Sequence, residues 1–265
     1  METVYYYQSF VGLDKLLTHT QDIDVIIVSS IHFDKDKNGN KYIYLNDNKP
    51  NNPCFDKLWM DVHKASSDGV LITLMVGGAG GAYQELFSDF ETYYPQLKNL
   101  IKEKNFISGI DLDIEEEVNI NDVKMLMNRL ISDFGEQFII TMAPVAPSLI
   151  NDEPGMGGFV YKELYNSPEG KYIKWFNTQC YESFSFETYK SIIDNGYPED
   201  KIVMGMMSGQ FTKETFPKLI HECIKIKKKY PNFPGVYDWE YLNAPPSSND
   251  PSQWCKILKN IKIII

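Results

Sequence analysis

The sequence predicts an α/β fold, a single closed barrel of eight βα units, on two observations. Eight short apolar runs rich in β-branched and aromatic residues recur along the 265 residues, and stretches of helical spacing separate most of them. No Pro/Gly/Ser-rich linker interrupts the alternation, so residues 1–265 are read as one barrel domain. The length suits a barrel of roughly 250 residues, and a composition that is 43% hydrophobic can fill its core. A doubly wound open sheet is the competing arrangement. It usually carries a Gly-rich turn after its first strand, and "YYYQSFVGL" supplies none.

The first run, "TVYYYQ" (3–8), is followed by "IDVIIVSSI" (23–31) and "VLITLMV" (70–76), all β-branched or aromatic. Next come "ISGIDLDI" (107–114), "QFIITMA" (137–143), "IKWFNTQCY" (173–181), "KIVMGMM" (201–207) and "PGVYDWEY" (234–241). Between them, "NDVKMLMNRLISDF" (121–134) sets Val123, Leu126, Met127, Leu130 and Ile131 on one helical stripe, with Asn119 or Asn121 as cap. "FETYKSIIDNGY" (186–197) reads as a helix closed by Asn195-Gly196, and "KETFPKLIHECIKIKKKY" (213–230) as another. Residues 32–56 break the pattern. "DKDKNGNKYIYL" (34–45) opens like an EF-hand loop with Asp34, Asp36, Asn38 and Gly39, but Leu45 stands where a bidentate Glu is required. A β-hairpin with an Asn-Gly turn explains it better.

A formal net charge of −10 disfavours nucleic acid and anionic membranes as partners. The dense basic run "KIKKKY" (225–230) complements a helix C-terminus or coats a solvated face. The four cysteines (Cys54, Cys180, Cys223, Cys255) are scattered without metal-like spacing and read as free thiols. The N-terminus "METVYYYQSF" has neither the basic nor the apolar segment of a secretory signal. The chain is therefore expected to be cytoplasmic, or exported by another route, and monomeric. No apolar run approaches the roughly 20 residues of a membrane span; the tail "IKIII" reads as a helix or strand end packing on the core.

"ISGIDLDIEEE" (107–117) carries the chemistry. Asp111, Asp113 and Glu115 alternate with Leu112 and Ile114, so the two-residue period sends all three acids to one face. In a closed parallel barrel one face is covered by helices and the other is the packed interior. The apolar side chains suit the helices, so the acids point into the barrel, at the strand end where barrel enzymes hold their active sites. Mutual repulsion of buried carboxylates raises at least one pKa, and the outermost, Glu115, is the expected general acid. A solvated strand end is the plain alternative, and it is how Glu116 and Glu117 are read. A divalent-metal site is the sharper competitor, although no further acid or His stands at another strand end in a ligand-like setting.

"SGIDLDIE" resembles the DGxDxDxE motif of glycoside hydrolase family 18, the chitinases and endo-β-N-acetylglucosaminidases. "LMVGGAGG" (74–81), "TMAPV" (141–145), "NTQCY" (177–181) and "GVYDWEY" (235–241) resemble, in order, four further elements of that family. Two positions depart from it: Ser108 replaces the first Asp, and Met75 a Ser shortly before the Gly pair. The resemblance implies a (β/α)8 TIM barrel that hydrolyses N-acetylglucosamine-containing oligo- or polysaccharide, with no metal, nucleotide or flavin cofactor. It casts Glu115 as acid, Asp113 as the group orienting the substrate's acetamide, Asp111 as its proton-sharing neighbour and Tyr181 as a hydroxyl donor to the acetamide oxygen. Trp239 would form the floor under the sugar, with Gln179, Tyr6, Met142 and Gly78 as further contacts and Gly77 beside Gly78 in the turn. An ordinary core Trp, barrel packing of Tyr6 and a plain turn at Gly77-Gly78 are the alternatives. Lys225 follows closely on Met207, leaving no room for a large insertion, so a shallow groove is expected. Within this resemblance the leading reading is hydrolysis of β-1,4-linked N-acetylglucosamine polymers, with cleavage of the chitobiose core of N-glycans as the close runner-up; a non-catalytic carbohydrate-binding protein and a metal-dependent barrel enzyme are the competing functions.

Overall fold

The computed structural model describes residues 1–261, so the tail from Lys262 onward lies outside the described residues. Nine strands form one sheet: Glu2–Tyr7 (β1), Val25–Lys35 (β2), Lys41–Leu45 (β3), Leu71–Gly77 (β4), Ile107–Asp113 (β5), Ile139–Met142 (β6), Ile173–Gln179 (β7), Ile202–Met207 (β8) and Gly235–Trp239 (β9). The order is β1-β9-β8-β7-β6-β5-β4-β2-β3, and a parallel pairing of β1 with β2 closes the eight parallel strands into a barrel. All eight apolar runs are barrel strands. The helices are Asp56–Ser67 (α1), Tyr83–Ser88 (α2), Phe90–Glu103 (α3), Ile120–Phe134 (α4), Ala146–Ile150 (α5), Tyr161–Tyr165 (α6), Phe186–Asp194 (α7), Phe216–Lys229 (α8) and Ser252–Lys259 (α9). Among the described residues no helix is long and apolar enough to cross a membrane.

Local signals set the element ends. The Asn119 side chain accepts from the Asn121 amide and starts α4, which then buries Val123, Leu126, Met127 and Leu130. Each such side chain contributes roughly 1.5–3 kcal/mol of burial before chain entropy is set against it. Gly196 takes φ +96° just past α7. The basic run lies in the last turn of α8, where Lys227 donates to the carbonyls of Pro231 and Phe233. Residues 34–45 form the expected hairpin. The turn from Asp36 places Gly39 at φ +81°, and the Asp36 carboxylate accepts the amides of Asn38 and Asn40.

Two apolar layers result. The larger lies between sheet and helices. The smaller fills the barrel with Val4, Tyr6, Val25, Ile27, Met75, Trp175, Val203 and Tyr237. Cys180, Cys223 and Cys255 are buried and Cys54 is exposed, all as free thiols.

One acid is enclosed on the helix side. Asp238 is fully buried, its Oδ1 has no hydrogen-bond partner, and burial pushes its pKa well above the carboxylate range. The Ser208 hydroxyl lies 2.7 Å from both Asp238 Oδ2 and the Glu240 carbonyl. It has one proton to give, and a protonated Asp238 that donates to Ser208 satisfies both contacts. Folding therefore retains a proton that the unfolded chain releases above its ordinary pKa of about 3.9, so stability falls as pH rises from there toward the raised folded value. Asp238→Asn keeps a donor and cannot ionise. Its melting temperature should approach that of the unsubstituted protein near pH 4 and exceed it increasingly toward neutrality; parallel curves would show that Asp238 carries no such cost.

Candidate active site

The two-residue alternation of β5 carries Asp111 and Asp113 inward at its C-terminal end, and Glu115 follows just beyond the strand. Asp111 is fully buried and takes three donors from three strands: the Tyr6 hydroxyl at 2.7 Å, the Thr141 hydroxyl at 2.5 Å and the Asn177 amide at 3.0 Å. Burial still raises its pKa, and the three hydrogen bonds act against that rise. Asp113 accepts only a 3.3 Å contact from the Gln179 amide. Burial, then the charges of Glu115 and Asp111, hold its pKa well above the carboxylate range. The difference follows from the donors: three hydrogen bonds oppose the rise at Asp111, while at Asp113 neighbouring charges add to it.

Glu115 is half-buried at the mouth of the barrel. The Gln179 amide, anchored on the Ala143 carbonyl at 2.9 Å, lies 3.4 Å from Glu115 Oε1 and so connects the outer acid to Asp113. Tyr181 receives the Tyr237 hydroxyl at 3.2 Å, and burial with nearby Asp113 keeps its own hydroxyl protonated. Trp239 packs its ring 5.2 Å from that of Tyr6 and lines an open cleft of about 540 Å³ with Gln8, Ser30, His32, Met75 and Gly77. His32 is fixed from both sides, by Ser30 Oγ and the Gly81 carbonyl, each at 2.8 Å. Among the described residues no group of three or more His, Cys, Asp or Glu is arranged to hold a metal ion.

The structure brings Asp111, Asp113, Glu115, Gln179, Tyr181, Gly78 and Trp239 to one end of the barrel. It moves three residues from their expected places. Met142 is fully buried in the layer under the helices, because alternation turns its neighbour Thr141 inward instead. Tyr6 is 2% exposed; it holds Asp111 from within the packed interior and presents no surface to a sugar. Glu116 is not a solvated strand end. Its carboxylate receives the backbone amides of Ala82 and Tyr83 at the start of α2, where the helix dipole favours an anion. Of the two departures, Met75 pairs in register with Asp111 and fills the interior with a methionine, while Thr141 and Asn177 supply hydroxyl and amide donors. Ser108 lies near the N-terminal end of β5, where the register against β4 skips it, away from the acids at the other end. Thr141, Asn177 and Tyr237 went unassigned in the sequence. Parity was the available signal, since Asn177 precedes Gln179 by two residues and Tyr237 precedes Trp239 by two.

No family model matches the chain, and neither does any curated protein. Solved structures do match. A fungal endo-β-N-acetylglucosaminidase from glycosyl hydrolase family 18 aligns at 29% identity and TM-score 0.85, over 98% of this chain and 97% of its own. The chitinase ChiC from Aspergillus fumigatus aligns at 29% identity and TM-score 0.83, over 97% of both chains. A GH18 chitinase from Pseudoalteromonas aurantia, at 19% identity and TM-score 0.73 over 97% of this chain and 99% of its own, shares the fold. Barrel, acidic strand and these likenesses together define a chitinase-like glycoside hydrolase. The family that the chain resembles over nearly its whole length is glycoside hydrolase family 18.

The Gly pair lies against Asp113 at the end of β5. Gly77 (φ +92°) and Gly78 (φ +84°) both use left-handed backbone, and the Gly78 amide donates to the Asp113 carbonyl at 2.9 Å. A Cβ on Gly77 would meet that carbonyl at 2.3 Å, whereas one on Gly78 would meet the flexible Met75 Cε at 2.5 Å. Both alanine variants carry a conformational cost of about 1–3 kcal/mol, and Gly77→Ala should be the more destabilising because backbone cannot yield. In urea unfolding, Met75→Ala should recover part of the Gly78→Ala loss and none of the Gly77→Ala loss.

Proposed function

We propose that the protein hydrolyses β-1,4-linked N-acetylglucosamine polymers, retaining anomeric configuration, with Glu115 as general acid. The observation that carries the reading is the graded acid row: Asp111 buried among three donors, Asp113 buried with a single long hydrogen-bond contact, Glu115 at the mouth within reach of solvent. Likeness to a chitinase and to an endo-β-N-acetylglucosaminidase supports an N-acetylglucosamine glycan as the kind of substrate.

Glu115 would protonate the glycosidic oxygen as the bond to the anomeric carbon breaks. Neighbouring inward positions on one strand are roughly 6–7 Å apart, so Asp113 approaches the sugar from the same side as Glu115. A conventional nucleophile must attack from the opposite face. The substrate's own acetamido carbonyl meets that requirement, forming an oxazolinium ion. Asp113 then needs a free oxygen for the acetamido N–H, and its proton would pass to Asp111, where burial favours the protonated form. Tyr181 would donate to the acetamido oxygen, and Trp239 would lie flat under the pyranose. Water, deprotonated by Glu115, opens the ion with retention.

Cleavage within the N-glycan chitobiose core is the second reading, supported by the likeness to the fungal endo-β-N-acetylglucosaminidase. A panel of chitin oligosaccharides and a high-mannose glycopeptide, read by mass, separates the two. Glu115→Gln should lower turnover by about 10²–10⁴-fold while oligosaccharide binding persists; near-normal kcat would remove Glu115 from its role. By NMR, the β-anomer should be the first product, and substrates without the N-acetyl group should resist cleavage. Early α-anomer would refute the acetamide as nucleophile.

A further inference from the structure

The basic run of α8 ends beside an open cavity at the N-terminal end of the barrel, the end away from the acid row. Glu2 at the start of β1, Lys174 at the start of β7, Lys201 directly before β8 and Lys227 in the last turn of α8 all line it. Lys259 and Asp200 line it too, and its volume is about 520 Å³. Small-molecule sites span roughly 300–1,000 Å³. Four lysines thus face two carboxylates, in a protein whose formal net charge is −10.

Among the described residues, only Lys259 of these four has an ion-pair partner, Asp24 at 2.6 Å. Lys201 Nζ instead donates to the carbonyls of Ile173 at 3.0 Å and Lys174 at 3.1 Å. Lys227 Nζ donates to those of Pro231 at 2.6 Å and Phe233 at 2.8 Å. Carbonyls fix the two half-buried ammonium groups but supply no full negative charge, and each keeps a third N–H to give. Burial pushes the Lys201 pKa down; nearby Asp200 opposes this and Lys174 adds to it. An anion in the cavity would relieve that strain on the charged form.

We propose that this cavity binds a phosphate group, free or carried on a small molecule, at a site separate from the glycosidase centre and independent of that reading. A phosphate presents several anionic oxygens and can accept from more than one ammonium group at once, each lysine acting as a point charge. Lys201 and Lys227 are already held in place, so they lose little freedom when it arrives. A long polyanion such as nucleic acid would reach past the lysines into the negative field of the remaining surface. The cavity therefore suits a small ligand.

The test titrates the full chain at low salt with pyrophosphate, inorganic phosphate and a hexose monophosphate, by calorimetry. Saturable binding of one anion per chain is expected. Lys201→Gln should weaken it by roughly tenfold or more, the scale of a hydrogen bond from a charged, half-buried donor. Lys174→Gln, at an exposed position, should weaken it by about two- to fivefold. Lys213→Gln makes the same charge change in the exposed loop after β8 and should leave affinity unchanged. The Lys174 ammonium makes no hydrogen bond among the described residues, so Lys174→Gln decides the matter if Lys201→Gln fails to fold; melting temperatures without phosphate verify folding. A hexose monophosphate that outbinds inorganic phosphate identifies a carried phosphate as the ligand, and equal affinities identify the free ion. If no titration saturates, or if neither cavity variant loses more than Lys213→Gln, the site is overturned and the catalytic reading stands.

Discussion

The organising constraint is the closure of eight parallel strands with no wet interior. Every inward side chain must pack or be hydrogen-bonded. Below the acids, valines, isoleucine, Trp175 and Tyr237 meet this by packing. At the level of Asp111 it is met by donors converging from β1, β6 and β7. Tyr6 serves both demands, with its ring against Tyr237 and Trp239 and its hydroxyl on Asp111. The packing of the barrel and the electrostatics of the site are therefore one arrangement.

That arrangement makes three acids of one residue class unequal. Asp111 has donors, Asp113 has burial and like-charged neighbours, and Glu115 has access to solvent. In that low-dielectric space the charges of Glu115 and Asp111 are felt strongly at Asp113. Distances along one strand set this gradient, which is why a single run of sequence holds most of the acid–base machinery.

Around the barrel mouth the chain is less constrained. The Gly77-Gly78 turn and Glu116, bonded to the start of α2, fix the approach beside β4 and β5. The hairpin of β2 and β3 extends the neighbouring wall. It faces water on one side, so its outer residues are free to be tyrosines, amides and carboxylates without disturbing the core.

The fold and the acid row were legible in the sequence because both rest on short-range periodicity. Alternating runs mark strands, helical spacing marks α4, α7 and α8, and the parity of "DLDIE" already places Asp111, Asp113 and Glu115 on one face. Parity would also have turned Met142 outward and Thr141 inward, had the register of that short strand been readable from four residues. What tertiary structure alone decided is contact between strands far apart in sequence. Nothing near Asp111 in the chain announces Tyr6, 105 residues away, or Asn177, 66 residues away, as its donors. Nor does the local sequence say that Glu116 reaches across to the start of another helix. Those pairings depend on strand register and barrel closure, which set distances that no local pattern encodes.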